Sequence, residues 1–373
     1  MKPTGLYIDF PFCVARCAFC GFAVQGYRER PAIRYAAALE KEITLHAEDP
    51  SSRDREMTSI YLGGGTPTRY PVGVLTDLLS FCRKRFHVAA DAEISLEAHP
   101  ATIDLSNLIS LREGGVNRLS IGIQSFSDKQ LRALGRHHTV KEARAAFQMA
   151  RQAGFTNIGI DLIYALPGQT PTEWEETLQA AIGLSPEHIS VYSLSIEEGT
   201  LFHKKEKEGR LSLPSEEEVI AFYETGRTHL NQAGYQQYEI SNFARPGYAS
   251  RHNLLYWDRG EILAVGLAAH SYLDREYREN SDSLSSYLEQ IESGHLPLAR
   301  KEKIGLREEE VDKIIFGLRK SEGIPFQRIS NNPVFRKTAD RLIEDCLIQV
   351  KDGRLRLTSR GIHLADEVAI AFL

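Results

Sequence analysis

Six short apolar runs recur through the first half of the 373-residue chain: LYIDF (6–10), SIYLG (59–63), EISLEA (93–98), RLSIGI (118–123), NIGIDLIY (157–164) and HISVYSL (188–194). Each is rich in β-branched or aromatic residues and closes at Gly, Pro or a turn, which is the pattern of a strand. Helical patterns separate them, at 31–48, 71–86, 102–113, 139–153 and 171–184. The first opens on Pro31, whose fixed φ suits the first turn of a helix. Strand and helix in strict alternation require a parallel sheet, because parallel neighbours can be joined only by a long crossover. Six such units fit a partial (β/α)6 barrel of the TIM type, with a doubly wound sheet as the competing topology. In both, ligands gather at the carboxyl ends of the strands.

After about residue 280 the alternation stops. The closing run RLIEDCLIQVKDGRLRLTSRGIHLADEVAIAFL reads as helix, a hairpin turned at Asp352-Gly353, then helix. The division predicted is a barrel with its extension over 1–280 and a small α+β, winged-helix-like domain over 281–373. A chain of this length can bury one large core and one smaller one. The polar stretch 198–218 reads as a surface connection. Cys82 and Cys346 fall in apolar helical patterns, as buried structural thiols do.

Composition removes several classes. Hydrophobic residues make up 42% and charged residues 25%, as in ordinary soluble globular proteins. A net charge of −5 gives no reason to bind nucleic acid in bulk. There is no run of 18 apolar residues, and the first residues lack a signal-peptide pattern, so a cytoplasmic location is expected. Five cysteines, three of them within eight positions, do not make a secreted disulfide framework.

Those three, Cys13, Cys17 and Cys20, follow the first strand directly. Three thiolates on one short loop can ligate three irons of a cubane cluster and leave the fourth iron open to a small molecule. A structural zinc site wants four ligands, commonly as two Cys-x-x-Cys pairs, and no second pair exists.

The spacing Cys-x-x-x-Cys-x-aromatic-Cys, with Phe19 as the aromatic, resembles the signature of the radical S-adenosylmethionine (SAM) superfamily. In that family the open iron of a [4Fe–4S] cluster is chelated by SAM, which can be cleaved to a 5′-deoxyadenosyl radical. YIDFPFC (7–13), GGGTPT (63–68), GIQSF (122–126), DLIYALPGQT (161–170), YEISNFARPGYASRHNLLYW (238–257) and LTSRGIHLADEV (357–368) then resemble, in order, the branch typified by oxygen-independent coproporphyrinogen oxidase. Within it the chain is most similar to the HemW-type haem chaperones. The oxidase's fourth cysteine is replaced by Phe22, its long N-terminal extension is not seen ahead of Tyr7, and HNLLYW (252–257) matches the chaperones' haem-associated motif.

The resemblance implies roles residue by residue. SAM would be held by Tyr7, Phe19, Gly64, Gly65, Thr66, Glu97, Gln124, Arg136 and Asp161. Their chemistry agrees. Glycines admit a ligand to the backbone, a guanidinium grips a carboxylate, and an acid at a strand end can accept from a ribose hydroxyl. Haem, as cargo, would meet His252, Asn253, Tyr256 and Trp257. The chain departs from the family at Asp9 (usually His), Gly21 (usually Asp), His99 (usually Asn), and Ala264 and Ala268 (usually Gly). The expected function is a haem chaperone that hands haem to an acceptor protein, including respiratory acceptors at membranes. The alternative is a radical SAM enzyme that decarboxylates a porphyrinogen or transfers a methyl group.

Overall fold

The computed structural model describes residues 1–373, apart from the side chains of residues 51 and 53. Its first half runs β1 (Lys2–Phe10), α1 (Glu29–Glu48), β2 (Arg55–Gly64), α2 (Val72–Arg85), β3 (His87–Ala98), α3 (Leu105–Glu113), β4 (Arg118–Gln124), α4 (Val140–Gln152), β5 (Ile158–Tyr164), α5 (Pro171–Gly183) and β6 (His188–Ser193). These six strands are parallel, and they are neighbours in chain order. A doubly wound sheet reverses its strand order at a switch point. The order here never reverses across the six, so the architecture is the incomplete barrel.

Local sequence explains the helix starts. Thr139 with Glu142, and Thr170 with Glu173, form reciprocal capping boxes ahead of α4 and α5, and Pro171 takes the first turn of α5. The strands alternate by residue. Leu6, Ile8, Phe10, Ile60, Leu62, Leu119, Ile121, Ile158 and Ile160 are buried with Leu39, Leu78, Phe147 and Trp174 of the helices in one hydrophobic core. The intervening residues are largely polar, and many of them line a cavity on the other face. Period two in a strand thus separates the core from the site.

The sheet then extends at both edges. After α6 (Glu216–Gln232), β7 (Asn242–Ala244) pairs antiparallel with β6. After α7 (Arg251–Trp257), β8 (Glu261–Val265) returns to the free edge of β1 and pairs with it in parallel. β9 (His270–Leu273), β10 (Glu276–Asn280), α8 (Leu284–Glu292) and β11 (Leu298–Lys303) follow, and the sheet reaches twelve strands. The large sheet therefore continues past residue 280.

A second, separate hydrophobic cluster joins Ile314, Leu318, Phe335, Leu342, Leu355 and Val368. It is built from α9 (Leu306–Leu318), α10 (Pro333–Glu344), the hairpin β12 (Ile348–Lys351) to β13 (Arg354–Leu357), and the closing helix at Ala365–Ile370. Asp352 and Gly353 have φ of 52° and 71°, as a two-residue hairpin turn with both central residues left-handed requires. This is the winged-helix-like unit. Among the described residues no helix is long and apolar enough to cross a membrane.

Two expectations change. Cys346 is exposed, not buried: α10 ends at Glu344, and Cys346 takes a left-handed φ of 59° just beyond it. The stretch 198–218 is more than a surface connection. It contains a helix at Leu201–Lys207 whose Phe202 is buried against Ala18, Leu134 and Ile163.

Candidate cluster and SAM site

The cysteine loop is held from several sides. The Ala18 N–H donates to the Leu134 carbonyl at 2.9 Å, and the Ala18 carbonyl accepts from the Phe202 N–H at 2.9 Å. The Tyr27 N–H donates to the Cys13 carbonyl at 2.9 Å. All three thiols are free, partly exposed and on the wall of one cavity of about 660 Å³. Burial pushes the Cys13 thiol up to about 11 and raises Cys20 as well. Thr66 Oγ1 donates to Cys13 Sγ at 3.4 Å, which favours the Cys13 thiolate, and Arg136 Nη1 donates to Cys17 Sγ at 3.5 Å. Among the described residues no three His, Cys, Asp or Glu side chains converge as around a single ion. A cubane takes each thiolate on a different iron and needs no such convergence. The donor set therefore fits an iron–sulfur cluster, whose irons would hold the three sulfurs deprotonated.

The glycine turn after β2 lies against this loop. Gly64 has φ 99°, and a Cβ there would stand 2.1 Å from Asp9 Oδ1. A Cβ on Gly65 would stand 2.9 Å from Cys13 Sγ and 2.8 Å from the Phe10 carbonyl oxygen. Only bare backbone fits, and it faces the cavity beside the thiols. That is the cradle an amino-acid moiety needs.

Glu97, Gln124, Arg136 and Asp161 share the same cavity wall with Phe19. The Glu97 carboxyl is pushed up to about 7 by burial and by the nearby Asp161 carboxylate. Burial likewise raises Asp161, while hydrogen bonds from Ser190 and Ser120 oppose the shift. Arg136 Nη2 donates to the Gly122 carbonyl at 2.6 Å, and its Nε is buried without a partner. Gln124 turns the chain out of β4 with φ 71°, uncommon for a non-glycine residue and frequent at functional sites.

Two of the departures have local explanations. His99 Nδ1 accepts from the Ala101 N–H at 3.1 Å, the bond an Asn side chain makes at such a turn. A Cβ on Gly21 would meet the Glu197 side chain at 2.9 Å, leaving no room for Asp unless Glu197 moves.

Other expected residues lie elsewhere. Tyr7 is not on the cavity wall; it stacks behind Tyr61 at 5.9 Å. His252 is 2% exposed, and its Nδ1 meets Ser59 Oγ at 2.8 Å. Tyr256 sets its ring edge-on to His252 at 5.4 Å and remains 39% exposed. Trp257 turns away to lie between Phe316 and Arg319 of the C-terminal unit. Of the four, Asn253 alone lines the cavity. Sequence reasoning missed Tyr61, Arg118, Ser120, His188 and Ser190, which also line it. Their signal was polar residues at every second position of otherwise apolar strands.

Residues 7–181 match the family model described as the radical SAM superfamily, and residues 307–364 match that of the HemN C-terminal domain. A Bacillus subtilis protein named heme chaperone HemW is 34% identical over 374 residues, covering 98% of each chain. A Mycobacterium tuberculosis protein of the same name is 32% identical, covering 100% of this chain and 95% of the relative. The solved structure of Escherichia coli coproporphyrinogen III oxidase (HemN), described as a radical SAM enzyme, superposes with a TM-score of 0.86 at 28% identity. The match covers 100% of this chain and 90% of the oxidase.

Proposed function

We propose, from the premise that this chain belongs to the HemW family of radical SAM proteins, that it is a haem chaperone that carries a [4Fe–4S] cluster and SAM. Cys13, Cys17 and Cys20 would hold the cluster. The bare backbone of Gly64 and Gly65, with Thr66, Phe19, Glu97, Gln124, Arg136 and Asp161, would hold SAM, and Tyr7 would brace Tyr61 behind them. When bound, the cluster supplies an open iron for SAM to chelate and an electron that can cleave it. The protein's own part is to orient the ligand through Arg136 and the carboxylates, and to keep the thiols behind the Ala18–Phe202 brace. The observation that carries this reading is the convergence of three thiols, a side-chain-free turn and a charged wall on one cavity.

Haem as cargo is supported by the names of the relatives and by the HNLLYW motif. His252 is buried here, so axial ligation through it requires α7 to move; Tyr256 is the exposed aromatic of the motif. Phe22, 66% exposed at the cavity mouth where the oxidase has its fourth cysteine, fits a protein that receives cargo and makes no porphyrin product. The acceptor would be an apo-cytochrome of the respiratory kind. The test is transfer: haem-loaded, cluster-loaded protein is mixed anaerobically with apo-cytochrome b, and the acceptor's spectrum is followed. Transfer faster than from free haem supports the chaperone. Transfer at the free-haem rate contradicts it.

The enzyme reading keeps one observation in its favour: the polar wall extends beyond the residues assigned to SAM, as a substrate chamber would.

A further inference from the structure

At the end of the cavity away from the cysteines, buried polar groups converge that no motif picked out. Arg118 opens β4 and Gln124 closes it, so about 20 Å of strand separates the two at roughly 3.3 Å per residue. Arg118 is 2% exposed yet lines the cavity, and its Nε has no partner. The acids near it, Glu93 and Asp161, act on it through space and not by a hydrogen bond. Glu93 is committed elsewhere: it accepts from the His252 N–H at 3.1 Å and the Arg251 N–H at 3.0 Å. Asp161 accepts from Ser120 Oγ at 3.2 Å. Burial works against the guanidinium, and Glu93, Tyr61, Tyr238 and Asp161 more than offset it and keep the charge. The fork itself is unbonded, and a planar carboxylate is the partner it fits best.

His188 faces the same point. It is 1% exposed; its Nε2 meets the Tyr238 hydroxyl at 2.9 Å and its Nδ1 has no partner. With Tyr238 donating to Nε2, Nδ1 carries the proton and becomes a donor. A Cβ on Gly159 would lie 3.3 Å from His188 Nδ1 and 3.4 Å from Arg118 Nη2. The two side chains of the cavity wall thus stand close together beside Gly159, and an added methyl there would press on both nitrogens.

We propose that Arg118 and His188, brought together beside Gly159, bind the carboxylate of a small organic ligand in the cavity beyond SAM. Glu93 and Asp161 nearby favour a single negative charge over a phosphate dianion. The inference rests on the reading of the cavity as the SAM chamber only in that both ligands share it. The carboxylate is either a free small acid or the propionate arm of a porphyrin.

The probe is sodium propionate, titrated into cluster-loaded protein at constant ionic strength while the thermal unfolding midpoint is followed, with propionamide as the neutral isostere. A saturable rise with propionate and none with propionamide is expected. Gly159→Ala should weaken the apparent affinity at least fivefold, and Arg118→Met should abolish it. If Arg118→Met does not fold, Arg118→Lys together with Gly159→Ala carries the test. An equal response to propionamide, or an unchanged response in Gly159→Ala, overturns the proposal. Haem that competes with propionate, where haem dimethyl ester does not, marks the porphyrin arm; competition by neither marks a separate acid; both support the site. Failure to bind SAM or haem with the propionate response intact would sink the chaperone and leave this site standing.

Discussion

The Tyr61 hydroxyl donates a 2.9 Å hydrogen bond to Oε1 of Glu97, against the turn formed by Gly63 to Gly65. Tyr7 stacks on the far side of Tyr61. The first strand thus reaches the proposed SAM wall through a ring and a hydroxyl.

Glu97 should make the free protein less stable as pH rises. Its carboxyl is held up to about 7 against an ordinary value of 4.5. The folded state therefore prefers the protonated form. That preference is fully present below about 4.5 and is lost as pH climbs through 7, at up to about 1.4 kcal/mol per unit, less where cavity water screens it. Urea unfolding of Glu97→Gln should lack this decline. SAM donors favour the carboxylate, so SAM affinity should rise from pH 6 to pH 7.5, with the rise flattened in Glu97→Gln.

Four buried histidines act in the opposite sense. Burial and a neighbouring arginine hold His99 down at about 2, His138 at about 4 and His252 at about 3, and push His188 well below its ordinary value. Their contribution is present above the unfolded value near 6.5 and is lost as pH falls toward the folded values. Each adds a slope of up to about 1.4 kcal/mol per unit, so four outweigh Glu97. Unfolding midpoints in urea should fall steeply from pH 6.5 to pH 5. A flat profile would mean that these histidines are hydrated and not held neutral.

Gly65→Ala should lower iron and sulfide content at least tenfold while circular dichroism is retained, because its methyl would sit on Cys13 Sγ. Cys13→Ala, Cys17→Ala and Cys20→Ala should do the same. Cys82→Ala, deep in the helical layer, should leave the cluster intact.

His252→Ala should cost about 2–4 kcal/mol through a lost buried ring and hydrogen bond. A loss of haem binding in that variant alone would not separate ligation from packing. Tyr256→Ala should cost less than about 1 kcal/mol, since the ring is partly exposed. If haem docks on the outer side of α7, it should weaken haem binding with the midpoint nearly unchanged.

The six strands and their crossovers were legible because core-facing residues recur at period two between capped helices. The cluster loop was legible because its ligands are close in sequence. Arg118, His188 and Tyr61 were hidden because they belong to no motif and only alternate with apolar residues along their strands, and strand register alone brings them to one cavity. Cys346 was misplaced because an apolar pattern does not mark a helix end when the left-handed residue is not glycine. The burial of His252 was hidden because the partners that enclose it, Ser59 and Glu93, come from strands more than 150 residues away.

The measurement that tests the account most directly is a haem titration of anaerobically reconstituted protein, followed in the Soret band, with 5′-deoxyadenosine assayed in parallel with coproporphyrinogen III present and absent. Saturable haem binding at micromolar levels, with no porphyrinogen product, is the expected result. No haem binding, together with substrate-dependent 5′-deoxyadenosine, would contradict the chaperone reading and make the chain an enzyme.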